Sequence, residues 1–127
     1  MKYLLDINVL IALAHTNHLL HERAYAWYEQ ARPTALGLCS ITELGFVRVS
    51  VQSNLQPDVA SALRTLAALK KTGPFELWPD ALGADVMPAY VKTPAALTDG
   101  HLLELARANN ATLATLDSRI PGATLLP

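Results

Sequence analysis

Cysteine, net charge and long apolar runs are all scarce in this chain of 127 residues. The single cysteine, Cys39, can form neither an intrachain disulfide nor a multi-thiolate zinc site, and it fits a reducing compartment, so the cytoplasm is the expected location. Ten Lys and Arg against eleven Asp and Glu give a net charge of -1, which excludes an architectural nucleic-acid protein that works by bulk positive charge. Any polyanion must be met locally. The apolar stretch from Tyr3 to Ala14 ends in Ala12-Leu13-Ala14, a formal match to a signal-peptidase site. Asp6 and Asn8 interrupt it, however, and it is too short to span a bilayer, so neither a leader nor a membrane segment is expected. Repeats, charge blocks and Ser/Gly-rich linkers are missing too. What is plentiful is core-forming material: apolar and aromatic residues make up 51% and charged ones 17%, which suits one folded domain over residues 1–127.

Along the chain, short apolar runs alternate with amphipathic stretches. Tyr3-Leu4-Leu5 reads as a strand that stops at Asp6, and Val9 to Ala14 reads as a buried helix. His18 to Ala31 predicts a second helix, ended by Pro33, and Ala35 to Cys39 a second strand, after which Ser40 or Thr42 can cap a helix to about Gln52. Pro57 and Asp58 open another helix with the stripe Val59, Leu63, Leu66 and Leu69, closed by Lys70, Lys71, Gly73 and Pro74. Phe75 to Trp78 is a third strand, and Asp80 to Pro94 reads as a short helix and a loop. Thr98 to Asn109 is a helix, Ala111 to Leu116 a fourth strand, Pro121-Gly122 a turn, and Ala123 to Leu126 a fifth strand. This alternation predicts an α/β domain of three layers, with helices on both faces of a mostly parallel sheet of about five strands.

Four acids stand apart from ordinary surface charge. Asp6 ends the first strand and Asp117 follows the fourth. Glu43 shares a helix face with Phe46, Val47 and Val51, and Asp99 shares one with Leu102, Leu103 and Ala106. In an open parallel sheet the carboxyl ends of the strands form one rim, where ligands bind, and all four acids are expected there. Two carboxylates ~5 Å apart at an effective dielectric of ~20 repel by roughly 3 kcal/mol. No lysine lies beyond Lys92 and only Arg119 is close to the last acid, so a divalent cation is the expected compensation. All-oxygen ligands suit Mg2+ or Mn2+, and such a site hydrolyses phosphodiesters. Without these four acids the chain has ten basic against seven acidic residues, so a metal-loaded site would not repel RNA. Taken singly, each acid also reads as a helix cap or first-turn charge; Asn8 reads equally as a cap or turn residue and as an amide that orients Asp6.

At these residues the chain resembles the PIN-domain family and, within it, the VapC toxins of bacterial toxin-antitoxin pairs. The matching segments are Leu4-Leu5-Asp6-Ile7-Asn8-Val9-Leu10, Thr42-Glu43-Leu44-Gly45-Phe46-Val47-Arg48, Thr98-Asp99-Gly100-His101-Leu102 and Leu113-Ala114-Thr115-Leu116-Asp117. They run in the family's order and span essentially the whole chain. The resemblance implies a five-stranded parallel sheet and a Mg2+- or Mn2+-dependent endoribonuclease whose metal and catalytic residues are Asp6, Glu43, Asp99 and Asp117. Asn8 and Thr115 would line the substrate site. It further implies products with a 5′-phosphate and a 3′-hydroxyl, a homodimer, and a small VapB-like antitoxin that blocks the site. Where some members carry another acid two residues after the fourth, this chain has Arg119.

Other residues have plainer readings. His18 and His21 beside Glu22 lack the further ligands zinc requires and are expected near the rim. His101 points away from Asp99, and Arg48 lies about 140° round the helix from Glu43, so a packing or partner-facing role fits it best. Trp27, Tyr25 and Tyr28 read as core or dimer interface, and Cys39 as a small buried hydrophobe. A receiver-type domain would need a late lysine, and a dehalogenase-type phosphatase an acid where Asn8 stands. A non-catalytic module whose acids merely cap helices is the remaining rival.

Overall fold

The computed structural model describes residues 1–127. The chain runs β1 (Lys2–Leu5), α1 (Ile7–Ala14), α2 (His21–Ala31), β2 (Ala35–Leu38), α3 (Ser40–Gln52), α4 (Val59–Lys70), β3 (Phe75–Leu77), a 3-10 turn (Pro94–Ala96), α5 (Leu97–Ala108), β4 (Thr112–Thr115) and β5 (Thr124–Leu125). The five strands form one sheet in the order β3-β2-β1-β4-β5, and every pairing is parallel. β1 therefore sits centrally, and the chain leaves it toward β2 on one side while β4 and β5 fill the other. This makes the carboxyl ends of β1 and β4 the point where strand order reverses, the place where such sheets bind ligands.

The pleat distributes the core between two layers. Tyr3 and Leu5 project to one face, where they meet Val9, Leu10, Leu13, Trp27, Phe46 and Leu66; Leu4 projects to the other, against Leu102, Leu105, Leu113 and Trp78. Four helices thus cover one face and α5 the other. Trp27 packs edge-on against Tyr3, with ring centroids 5.2 Å apart, so this aromatic belongs to the core, as does the fully buried Cys39. No helix is long and apolar enough to cross a membrane.

Several expectations need correction. The segment Asp80 to Pro94 contains no α-helix: Pro79, Gly83, Pro88 and Pro94 break any run of helical hydrogen bonds, and only the 3-10 turn forms at its end. The helix expected from His18 begins at His21, because His18 to Leu20 form a turn. α3 is capped by neither Ser40 nor a Thr42 cap position; the cap is Cys39, whose N–H donates to the Thr42 hydroxyl at 2.9 Å from within the first turn. Asp58 caps α4 by accepting from the Ser61 N–H at 2.8 Å. The α4 stripe is rotated from the one expected: Ala62 and Leu66 are buried, while Val59 and Leu63 are 55% and 52% exposed. Together with Leu44 they leave an apolar strip over α3 and α4 facing outward.

Gly37 of β2 lies directly under the buried indole of Trp78, and a Cβ there would overlap its ring. The ring is buried, and β2 is held between β3 and β1, so neither yields readily. Gly37→Ala should therefore lower stability by about 1–3 kcal/mol, read as a lower urea midpoint with an unchanged slope.

Candidate active site

Asp6 is placed by the sheet. Its N–H donates to Ala114 O at 3.0 Å, which continues the β1–β4 ladder one residue past β1, and the chain then turns into α1. Asp6 caps that helix: one carboxylate oxygen accepts from the Ile7 N–H at 2.7 Å, and the other accepts from the Thr115 hydroxyl at 2.7 Å. The Thr115 oxygen in turn accepts from the Asp117 N–H at 3.0 Å and from the Asn8 amide at 3.4 Å, while Asn8 Oδ1 accepts from the Leu116 N–H at 3.1 Å. Of the two roles open to Asn8, the structure shows a variant of the second: its amide ties α1 to the exit of β4 and reaches Asp6 only through Thr115.

Asp99 comes from the opposite layer, in the first turn of α5. Gly100 beside it lets Met87, Pro88 and Val91 of the preceding loop pack tightly on the helix start. Asp6, Asp99 and Asp117 line one cleft of about 410 Å³, with Asn8, His18 and Leu116 among its other walls. Burial holds the Asp6 carboxyl above its ordinary range against the opposing bonds from Thr115 and Ile7, and the Asp117 charge adds to the rise. Burial also raises Asp99, with the charges of Asp6 and Asp117 acting in the same direction; no hydrogen bond contributes there, and only Arg119 opposes.

The other two acids have cations of their own. Asp117 forms a bidentate pair with Arg119, at 2.9 and 3.0 Å, which holds its carboxyl below the usual range. Glu43, expected at the shared rim, does not line the cleft: its carboxylate bonds the Lys70 ammonium at 2.8 Å. The last turn of α4 lies against the first turn of α3, which brings that ammonium to the acid. As the side chains lie, no group of three or more His, Cys, Asp or Glu is placed to hold a metal ion. The donor chemistry nevertheless fits a hard divalent cation. Asp6 and Asp99 offer carboxylate oxygens whose ionised forms are disfavoured by burial and by neighbouring carboxylates, and Mg2+ asks for only one or two carboxylates besides water and substrate phosphate.

The neighbouring histidines sort differently. His18 lines the cleft and accepts the Leu20 N–H on Nδ1 at 3.0 Å; His21 Nδ1 bonds Ala12 O at 2.8 Å. His101 pairs with Asp80 at 2.7 Å, and Asp80 also accepts from the Ser40 N–H, so it joins α5 to the start of α3. Sequence reasoning passed over Tyr90 altogether. Its hydroxyl is shielded from solvent without a hydrogen-bond partner, in the field of Asp99 and Asp117. It arrives on an irregular loop, where no periodicity marks a residue.

Comparison with known proteins places the chain in a family. The PIN domain family model matches residues 3–124. Ribonuclease VapC29 of Mycobacterium tuberculosis is 40% identical over 119 residues, covering 93% of this chain and 87% of the relative. Ribonuclease VapC44 of the same organism is 37% identical over 135 residues, covering 98% and 95%. Among solved structures, M. tuberculosis VapC20, described as a sarcin-ricin loop cleaving toxin, superposes with a TM-score of 0.68 at 11% identity, covering 98% of this chain and 99% of that one. VapBC2 of Rickettsia felis, bound to a DNA fragment from its promoter, gives 0.65 at 16% identity, covering 98% and 97%. Those two likenesses speak for the fold, and the family match with the closer sequence relatives settles descent: the chain belongs to the PIN-domain family, among its VapC-type members.

Proposed function

We propose that this protein is a Mg2+- or Mn2+-dependent endoribonuclease, the toxin of a VapBC-type pair. The observation that carries the reading is the meeting of Asp6, Asp99 and Asp117 around one cleft at the strand-order reversal, with Asp6 and Asp99 held in a state that a bound cation would relieve. The relatives' names as ribonucleases support it. Asp6 and Asp99 would hold the metal, which when bound polarises a phosphate oxygen and makes water a better nucleophile. Glu43 and Asp117 would join as Lys70 and Arg119 give way to it. Thr115 fixes the Asp6 carboxylate by donating to it, and Asn8 anchors the turn that presents Asp117. His18 spends Nδ1 on Leu20, which leaves the neutral ring's proton on Nε2 as a donor at the cleft wall.

A VapB-like antitoxin partner, a homodimer and a cytoplasmic location belong to the same proposal. The outward apolar strip of Leu44, Val59 and Leu63 is the kind of surface that protein partners cover. Purified protein incubated with total RNA in Mg2+ should produce discrete fragments bearing 5′-phosphate and 3′-hydroxyl ends, and excess EDTA should stop it. Intact RNA in Mg2+ and in Mn2+ alike would overturn the reading, as would undiminished cutting in EDTA.

A further inference from the structure

Asp99 and Asp117 form a wall common to two depressions. On one side is the cleft already described; on the other is a smaller one of about 260 Å³, lined by Tyr90, Thr93, Asp99, Asp117 and Arg119. A phosphodiester carries a nucleoside on each side, so an RNA whose scissile phosphate sits at these acids sends its chain in both directions from the wall. The first cleft has no lysine or arginine in its lining, and Arg119 is the single such cation at either. Its side chain is 87% exposed, and it is engaged only with Asp117. The arginine side of the pair is open to solvent, so a phosphate can reach it, and a guanidinium fork fits a phosphate as well as it fits a carboxylate. The Tyr90 hydroxyl, shielded from solvent and without a partner, belongs to a side chain that lines this depression, and is a polar group the folded protein leaves unused.

We propose that the smaller depression is a second nucleotide subsite, in which Arg119 exchanges the Asp117 carboxylate for a phosphate of the RNA next to the one that is cut. The exchange also frees Asp117, so the resting ion pair acts as a latch that substrate opens. Tyr90 supplies the wall on which that nucleotide rests and a hydroxyl to bond it. This rests on the nuclease reading above and adds the path of the substrate to it.

The test uses fluorescence anisotropy with a labelled oligouridylate in constant Mg2+, in an Asp99→Asn background so that the probe survives. Arg119→Gln should weaken binding about tenfold and make the slope of log affinity against log salt shallower by about 0.7, the signature of one lost phosphate contact on a single strand. Arg119→Lys should keep the slope. In the otherwise unsubstituted enzyme, Tyr90→Phe should raise KM for the same probe several-fold with kcat nearly unchanged. If Arg119 only steadies Asp117, kcat falls when Arg119→Gln is made in the otherwise unsubstituted enzyme while the salt slope in the Asp99→Asn background stays put, and the subsite is refuted. An unchanged KM in Tyr90→Phe removes the hydroxyl from it. Total RNA left whole by the unsubstituted protein sinks the nuclease reading itself, whereas RNA cut normally with an unaltered slope for Arg119→Gln sinks the subsite alone.

Discussion

Asp99→Asn should cut RNA at least about 10³-fold more slowly than the parent, a loss of about 4 kcal/mol of transition-state stabilisation, while melting no lower. The two halves of this result have separate causes. Activity falls because a neutral amide is a poor ligand for a hard cation, and Asp99 is one of the two acids in the cleft without a cation of its own. The fold survives because Asn keeps the shape and removes a charge that burial, Asp6 and Asp117 all disfavour. The sign of the pH dependence follows. A carboxyl whose pKa is raised in the folded protein costs nothing while protonated in both states; the cost appears as pH rises past the unfolded value near 3.8 and is complete above the folded one. Measured without divalent ions, Asp99→Asn should therefore melt higher than the parent at pH 7, and the advantage should shrink to nothing as the pH falls through the carboxylate range. A variant that melts well below the parent at pH 7 would mean that Asp99 is a structural acid and that its activity loss reports unfolding.

How much of this was legible in the sequence depends on whether the relevant partners were near in the chain or brought near by packing. The strand ending at Asp6 and the one ending before Asp117 were readable because an apolar run that stops at an acid marks a strand exit, and parallel strands share an exit edge. Asp99 was readable from the face it shares with Leu102 and Leu103, both buried. The Thr115 hydroxyl came only from the family resemblance, and its bond to Asp6 spans 109 positions. As its side chain lies, Glu43 does not line the cleft, because Lys70, 27 residues on, is brought to it by the packing of α4 on α3. Lys70 by itself reads only as a basic residue closing a helix. Val59 and Leu63 belong to a genuine helical stripe, yet they face outward, since periodicity records that a face is apolar and not what covers it. Tyr90 was invisible for the opposite reason: a loop interrupted by Pro79, Gly83 and Pro88 has no period from which to read direction.

Mn2+ or Mg2+ should raise the melting temperature of the parent by about 10 °C once the ion exceeds its dissociation constant about 100-fold, and should leave Asp99→Asn almost unmoved. A ligand confined to the folded state stabilises it by about 2.7 kcal/mol at that excess, and a domain of this size gains a few degrees per kcal/mol. The shift should contract on acidification: protons compete with the ion for Asp6 and Asp99, and because both carboxyls sit above their ordinary range the competition begins at a higher pH than free aspartate would set. NaCl at the same ionic strength is the control for screening, and Asp99→Asn is the control for loose divalent binding at surface acids, which Asp58 at its helix cap and the Glu104–Arg107 pair would share. The capping rival makes the contrary forecast. An Asp6 that serves only Ile7 and Thr115, and an Asp117 that serves only Arg119, need no ion, so a melting curve indifferent to Mn2+ in parent and variant alike would leave these acids as helix and turn ligands of a binding module. A shift present in the parent, lost with Asp99 and shrinking toward low pH is what a shared carboxylate site requires, and capping acids have no means of producing it.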